Sequence, residues 1–350
     1  MPKDRTPRNT PISALLLCIA MANQAPAAVQ LQRQDALSLA RSVNSAAIQQ
    51  VLLDLSVAGS TADVLALLQD TTQRGDWPAP ARDAAVYGFA QDLRSLPRSA
   101  VPGEVLTWLG AYQPLTMVPH EDHAGGWVPL FNVRAVAVGV ENDWRRQDAV
   151  LEGLALIATQ PRSLVDAWLL DPDPASRMGY SQALEQARPA QLQEVGKHAR
   201  RQLQAHPELT ALAGQAALLS DDLESLGEVF ALGGGAELAP LMRQCAARLA
   251  PAASATLLDS TLAMAPQTNA ALAIAELAPA AAGLPSTQQL LLDHLGDRQL
   301  GATAALALAR VASDESVEAL RLLAEDSSGA SAHNARLALE LLAPGQEQGD

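Results

Sequence analysis

The sequence predicts an all-α protein built as an irregular α-solenoid, in which antiparallel helical hairpins stack one after another. Three observations carry that expectation. Alanine makes up about one residue in five and leucine nearly as many, while aromatic residues are 3% of the chain; good helix formers dominate and strong strand formers are few. Apolar residues recur at helical spacing through most of the chain, separated by short polar or Pro/Gly links. Four helix ends in the C-terminal half also look alike and recur at nearly regular intervals.

The N-terminus reads as an export signal. Lys3, Arg5 and Arg8 precede an apolar run at 12–22, and small residues at 25–28 suit cleavage after Ala27 or Ala28. A run of eleven is too short to span a bilayer core, which needs about 20 residues. Residues 1–27 are therefore expected to be removed, placing the mature chain in the periplasm or outside the cell with no transmembrane insertion. Cys18 follows Leu17 rather than a small residue, which disfavours lipid attachment. Once the signal is gone Cys245 is the sole cysteine, so no intrachain disulfide can form. Its neighbours Ala246, Ala247 and Leu249 suggest a small buried hydrophobe.

The next residues, 34–55, carry helical periodicity through Leu37, Ile48, Val51, Leu52 and Leu55 and read as one long helix, bridged across Val43-Asn44. A further helix begins at 62–68, 77–80 reads as a loop, and 83–96 and 101–112 are helical. Residues 113–129 form the longest interruption, with Pro114, Pro119, Gly125-Gly126 and Pro129 stopping helix propagation. Helices resume at 147–159, 163–170, 189–204, 209–219 and 223–232. Ten of the eleven aromatics lie between Trp77 and Tyr180. This divides the chain into an aromatic-rich helical region at 28–180, with an irregular insertion at 113–129, and helical repeats at 181–343. The change falls between 170 and 189, with the Asp-Pro-Asp-Pro run at 171–174 as hinge or loop; 344–350 is expected to be a disordered tail.

In the C-terminal half Leu249, Leu277, Val311 and Leu342 occupy equivalent places near helix ends, at spacings of 28, 34 and 31 residues. Such a period is that of a repeated helix-turn-helix unit. The clearest copy is 303–325. Ala304, Leu308, Val311 and Ala312 form one stripe; Ser313-Asp314-Glu315 break it and supply capping oxygens; Val317, Leu320, Leu323 and Ala324 form the next stripe, with Arg321 and Glu325 facing solvent together. The run Ala304 to Ala309, followed by Asp314-Glu315-Ser316-Val317-Glu318-Ala319-Leu320 and Leu323, resembles the HEAT repeat, mainly over 236–343. Glu315 stands where the family's turn proline is usual. The resemblance implies a non-catalytic scaffold that binds protein. Tetratricopeptide repeats share the period but need aromatics at fixed places, and only Phe230 follows Tyr180.

The net charge of −14 argues against nucleic acid and against an anionic membrane face. Phosphate-loop, serine-elbow and dinucleotide motifs are missing, and no cofactor is implied. Gly233-Gly234-Gly235 follows a helix rather than a strand and reads as a C-cap and turn. The candidate ligand or partner site is the insertion, where His120, Glu121, Asp122, His123 and Trp127 cluster, with Trp108 among the neighbouring aromatics as a contact residue. Imidazole and carboxylate are zinc ligands, but His123 comes one residue too early for H-E-x-x-H. The expected function is thus an envelope interaction scaffold for an unidentified protein or peptide. The alternatives are a hydrolase or metal-dependent enzyme with its site near 113–131, and a structural oligomerisation module.

Overall fold

The computed structural model describes residues 28–311, 313–325 and 329–342. The expected signal at 1–27 and the tail at 344–350 lie outside the described residues. The described residues hold eighteen α-helices and one small sheet. The chain divides into two compact units at Trp144/Arg145, and each is described in turn.

The first unit contains strand β1 (Val29–Gln30), helices α1 (Arg33–Arg41), α2 (Ala46–Val57), α3 (Thr61–Gln73), α4 (Ala79–Asp92) and α5 (Gly103–Gly110), strands β2 (Thr116–Pro119) and β3 (Trp127–Pro129), and the start of α6 (Val133–Thr159). Helix α4 is its axis. It packs against α1, α2 and α3 and buries Ala81, Ala85, Val86, Phe89 and Ala90 around its circumference. Phe89, Leu52, Leu68, Leu109 and Trp144 form the core.

Three expectations are corrected here. The single helix at 34–55 is two, broken at 42–45. The Ser42 hydroxyl donates back to the Leu39 carbonyl (2.7 Å) and Asn44 Oδ1 accepts the Ala46 amide (3.2 Å); short polar side chains there outcompete helix propagation. The loop at 77–80 ends early, because Ala79 and Pro80 already sit in the first turn of α4, where proline's missing N–H costs nothing. The insertion at 113–129 is not irregular throughout: β2 and β3 pair antiparallel, Val118 opposite Val128, and β1 pairs parallel with β2. Pro119 and Pro129 sit at strand ends, where a missing donor is tolerated.

The second unit holds the rest of α6 and then α7 (Ser163–Leu170), α8 (Pro174–Leu184), α9 (Pro189–Arg200), α10 (Thr210–Leu219), α11 (Leu223–Leu232), α12 (Leu238–Arg248), α13 (Pro251–Met264), α14 (Gln267–Leu277), α15 (Pro285–Asp293), α16 (Gly301–Val311), α17 (Asp314–Glu325) and α18 (Ala330–Leu342). Its order of contacts is regular. Within the series, α7, α9, α11, α13, α15 and α17 each touch the next, as do α8, α10, α12, α14, α16 and α18. Two layers of parallel-running helices result, which is the serial stacking expected of an α-solenoid. The four look-alike helix ends close α12, α14, α16 and α18, all in one layer. The division at Trp144/Arg145 falls inside α6, and 171–173 is the link between α7 and α8, with Pro174 opening α8.

Small side chains and buried amides hold this stack together. A Cβ on Gly179 of α8 would meet the Arg146 carbonyl oxygen and, at 2.7 Å, the Ala149 Cβ; one on Gly153 of α6 would meet the Ala183 Cβ at 2.8 Å. The two helices approach too closely for anything larger. Asn269, in the first turn of α14, donates to the carbonyls of Phe230 and Gly233 (both 2.9 Å) at the end of α11. Asn334 of α18 donates to the Leu295 carbonyl, also 2.9 Å, just past α15. The bonds to Phe230 and to Leu295 each span 39 residues, so the same device recurs two hairpins apart. Helix ends leave carbonyls without partners, and a buried amide meets that need without water. Gln288 joins α15 to the segment before it through the Ala282 carbonyl and to the α16–α17 link through the Val311 carbonyl and the Ser313 hydroxyl. Arg321 and Glu325 are both exposed, as expected, and Arg321 pairs with Glu318 at 3.3 Å.

Candidate functional site

The hairpin joining β2 and β3 carries His120, Glu121, Asp122 and His123 at its tip, closed by Gly125 in the left-handed region (φ 82°). The His120 amide donates to the Gly126 carbonyl (2.9 Å) and the Gly126 amide to the His123 carbonyl (3.0 Å). This brings the two imidazoles face to face, with ring centroids 4.6 Å apart. The Asp122 amide donates to His120 Nδ1 (3.1 Å). Nδ1 of His120 is thereby occupied as an acceptor. Glu121 pairs with Arg33 at 3.2 Å on the surface. Trp127 begins β3 and is exposed, whereas Trp108 lies on α5 with its ring 5.5 Å from that of Tyr112. The tip thus unites the two histidines, and Trp108 belongs to the helical packing of the unit. Among the described residues no group of three or more His, Cys, Asp or Glu side chains is placed to hold a metal ion.

The hairpin is anchored by a buried carboxylate that sequence reasoning passed over. Asp83 of α4 is fully buried and its Oδ1 accepts from the Tyr112 hydroxyl (2.6 Å) and the Leu115 amide (3.1 Å). Its Oδ2 and the buried Thr116 hydroxyl have no hydrogen-bond partner. Burial raises the Asp83 carboxyl above the ordinary range, the hydrogen bonds from Tyr112 and Leu115 opposing it; burial and the neighbouring carboxylate raise the Tyr112 phenol. Two residues far from Asp83 in sequence converge on it, and no spacing rule could have selected it.

An apolar groove with a volume of about 550 Å³ lies in the second unit. Trp168 from α7, Pro172 from the next link, Pro174 and Met178 from α8 and Pro207 before α10 form its walls. Each wall is fixed. Trp168 Nε1 donates to the Glu208 carbonyl (3.1 Å). The Arg177 guanidinium lies over the Trp168 ring, 5.4 Å from its centroid, a favourable cation–π placement. Arg177 Nε is buried without a partner. The Asp-Pro-Asp-Pro link is pinned, since Asp171 Oδ1 accepts the Asp173 amide (3.0 Å) and Asp173 Oδ1 caps α8 through the Ala175 amide (2.8 Å). Arg145 binds the other Asp173 oxygen at 2.7 Å and holds its carboxyl below the ordinary range. Glu208, also on the groove, is held low by its own backbone amide, then by His206 and Arg177. Gly234 and Gly235 close the far wall; Gly235 has φ 77°, and the Gly234 amide donates to Thr210 Oγ1 (3.1 Å).

Chemically the groove offers an aromatic and proline surface, one cation and two carboxylates, with no histidine or cysteine in its lining. Cys245 is buried elsewhere in the core, and burial pushes its thiol up to about 12. In sequence, the signal for the groove was a tryptophan and three prolines flanking helix ends, legible only as loops.

The architecture places the chain among α-solenoids, proteins of serially stacked helix pairs. No family model, no curated protein and no solved structure matches this chain. No described helix is long and apolar enough to cross a membrane.

Proposed function

We propose that this chain is a non-catalytic interaction scaffold of the HEAT-like kind, acting in the envelope compartment to which its first 27 residues point. The observation that carries the reading is the Trp168 groove, a pre-formed apolar slot on a rigid stack with a cation at its side. Met178 there is 52% exposed, and Leu170, two residues before Pro172, is 84% exposed. Large apolar side chains held open to solvent beside a concavity favour a contact surface. Tryptophan and arginine are the residue types that most often dominate binding energy. The alanine-rich helix, acidic turn and second helix of 303–325 favour HEAT repeats over other helical pairs.

The test is site-directed crosslinking in intact cells. A photoreactive phenylalanine analogue replaces Met178 in the full chain, with the exposed Gln91 position as control. The reading expects a discrete protein adduct from position 178, absent from position 91 and reduced in an Arg177→Ala background. Equal labelling from both positions, or none from either, rejects it.

A further inference from the structure

Helices of the two layers in the second unit differ in charge. The four helices α11, α13, α15 and α17 carry eight acidic side chains, from Glu224 to Glu325, against Arg321 alone. Their layer partners α12, α14, α16 and α18 carry four arginines against Glu276 and Glu340. The sequence as a whole gives only a net charge of −14; the stacking sorts it into an acidic face and a basic one. Some acids are engaged: Glu228 holds Arg200 at 2.8 Å and Glu318 holds Arg321 at 3.3 Å. Asp259 and Glu315 are exposed, and no basic side chain pairs with either among the described residues.

Those two acids edge two successive grooves in the acidic layer. The groove between α13 and α15 has a volume of about 480 Å³ and presents Thr256, Asp259, Ser286 and Thr287. The groove between α15 and α17 has about 410 Å³ and presents Gln289, Ser313 and Glu315. Thr287 is 1% exposed and its Oγ1 has no hydrogen-bond partner. A buried hydroxyl left unmet on the wall of an open groove is an available acceptor or donor for whatever enters. Carboxylate beside hydroxyl and amide groups is the complement of an ammonium or guanidinium head.

We infer that the face formed by α13, α15 and α17 docks an extended basic polypeptide segment, whose lysine or arginine side chains enter these grooves in succession. This rests on the scaffold reading and gives that scaffold's partner a chemistry. Neighbouring helices in a layer lie about 8–10 Å apart, so successive grooves are separated by roughly three residues of a polyproline II segment, which rises about 3.1 Å per residue and returns every third side chain to the same face. A small dication is a poorer match, because the two carboxylates are separated by a whole helix and cannot share one ion.

The probe is a fluorescent peptide with arginine at every third position and serine between, titrated by anisotropy against the full chain near physiological salt. Two double variants remove the same charge from exposed sites: Asp259→Asn with Glu315→Gln, and Glu185→Gln with Glu194→Gln away from the grooves. Far-UV circular dichroism verifies the helices of each first. The groove pair is expected to weaken binding about tenfold, consistent with a few-fold for each partly screened ion pair, and the control pair less than about twofold. Equal loss from both pairs means diffuse attraction and overturns the inference. So does equal affinity for a peptide with the same arginines contiguous, or no binding of the spaced peptide. Because Met178 lies outside these grooves, adduct formation from position 178 with a failed titration leaves the scaffold standing and removes only the basic partner.

Discussion

Replacing Asp83 by alanine strands two buried donors at once, the Tyr112 hydroxyl and the Leu115 amide. A buried donor left without its acceptor costs about 1–3 kcal/mol, so Asp83→Ala is expected to destabilise the first unit by about 3–4 kcal/mol. Asp83→Asn keeps one oxygen for both donors and sets an amide in place of Oδ2, close to Thr116. Its cost should be under about 1 kcal/mol. The pH dependence gives a sharper signature. The folded carboxyl is raised above its ordinary value of 3.8 by burial, so between that value and the raised one the folded state holds more protons than the unfolded. Stability from this group is then fully present below 3.8 and is lost as pH rises through the raised value. Other carboxylates, Asp173 among them, are held low and act in the opposite direction. The informative quantity is therefore the wild-type stability minus that of Asp83→Asn, which should grow on acidification from neutral pH. Urea titrations read by tryptophan fluorescence measure it, since four of the five tryptophans precede Arg145. The reasoning fails if alanine costs less than about 1 kcal/mol, if asparagine is as harmful as alanine, or if the difference shrinks on acidification.

Gly179→Ala should force α8 away from the α6 backbone and cost about 1–3 kcal/mol, seen as a lowered thermal midpoint by circular dichroism. Asn269→Ala removes two bonds to the end of α11 and Asn334→Ala one beyond α15; the first should cost about 2–3 kcal/mol and the second about 1–2, by chemical denaturation. Cys245, buried with its thiol raised to about 12, should resist iodoacetamide at neutral pH in the native protein and be alkylated after denaturation, as peptide mapping can establish. Asp173→Ala, which uncaps α8 and removes the Asp173–Arg145 ion pair, should cost about 1 kcal/mol and loosen the Trp168 groove, read as faster amide exchange at 175–178.

What the amino-acid order determined is whatever depends on near neighbours along the chain. Helix 223–232 and helix 163–170 were legible to the residue, because 3.6-residue periodicity and flanking breakers are local. The recurrence of Leu249, Leu277, Val311 and Leu342 even selected one layer of the stack, since equivalent helices meet equivalent neighbours. The failures have physical causes too: the breaks at Ser42 and Asn44 depend on side chains turning back to the backbone, and β2 pairs both with β3 and with the distant strand at 29–30. Tertiary structure alone decided the rest. Asp83 meets Tyr112 and Leu115 from about thirty residues away, Trp168 becomes a groove wall only when Pro207 and Gly235 fold beside it, and an acidic total separates into opposite faces only when alternate helices are assigned to layers. Periodicity fixes which side of a helix is buried; which helices stand beside one another, and so which charges and grooves add up, is set by packing between residues far apart in the chain.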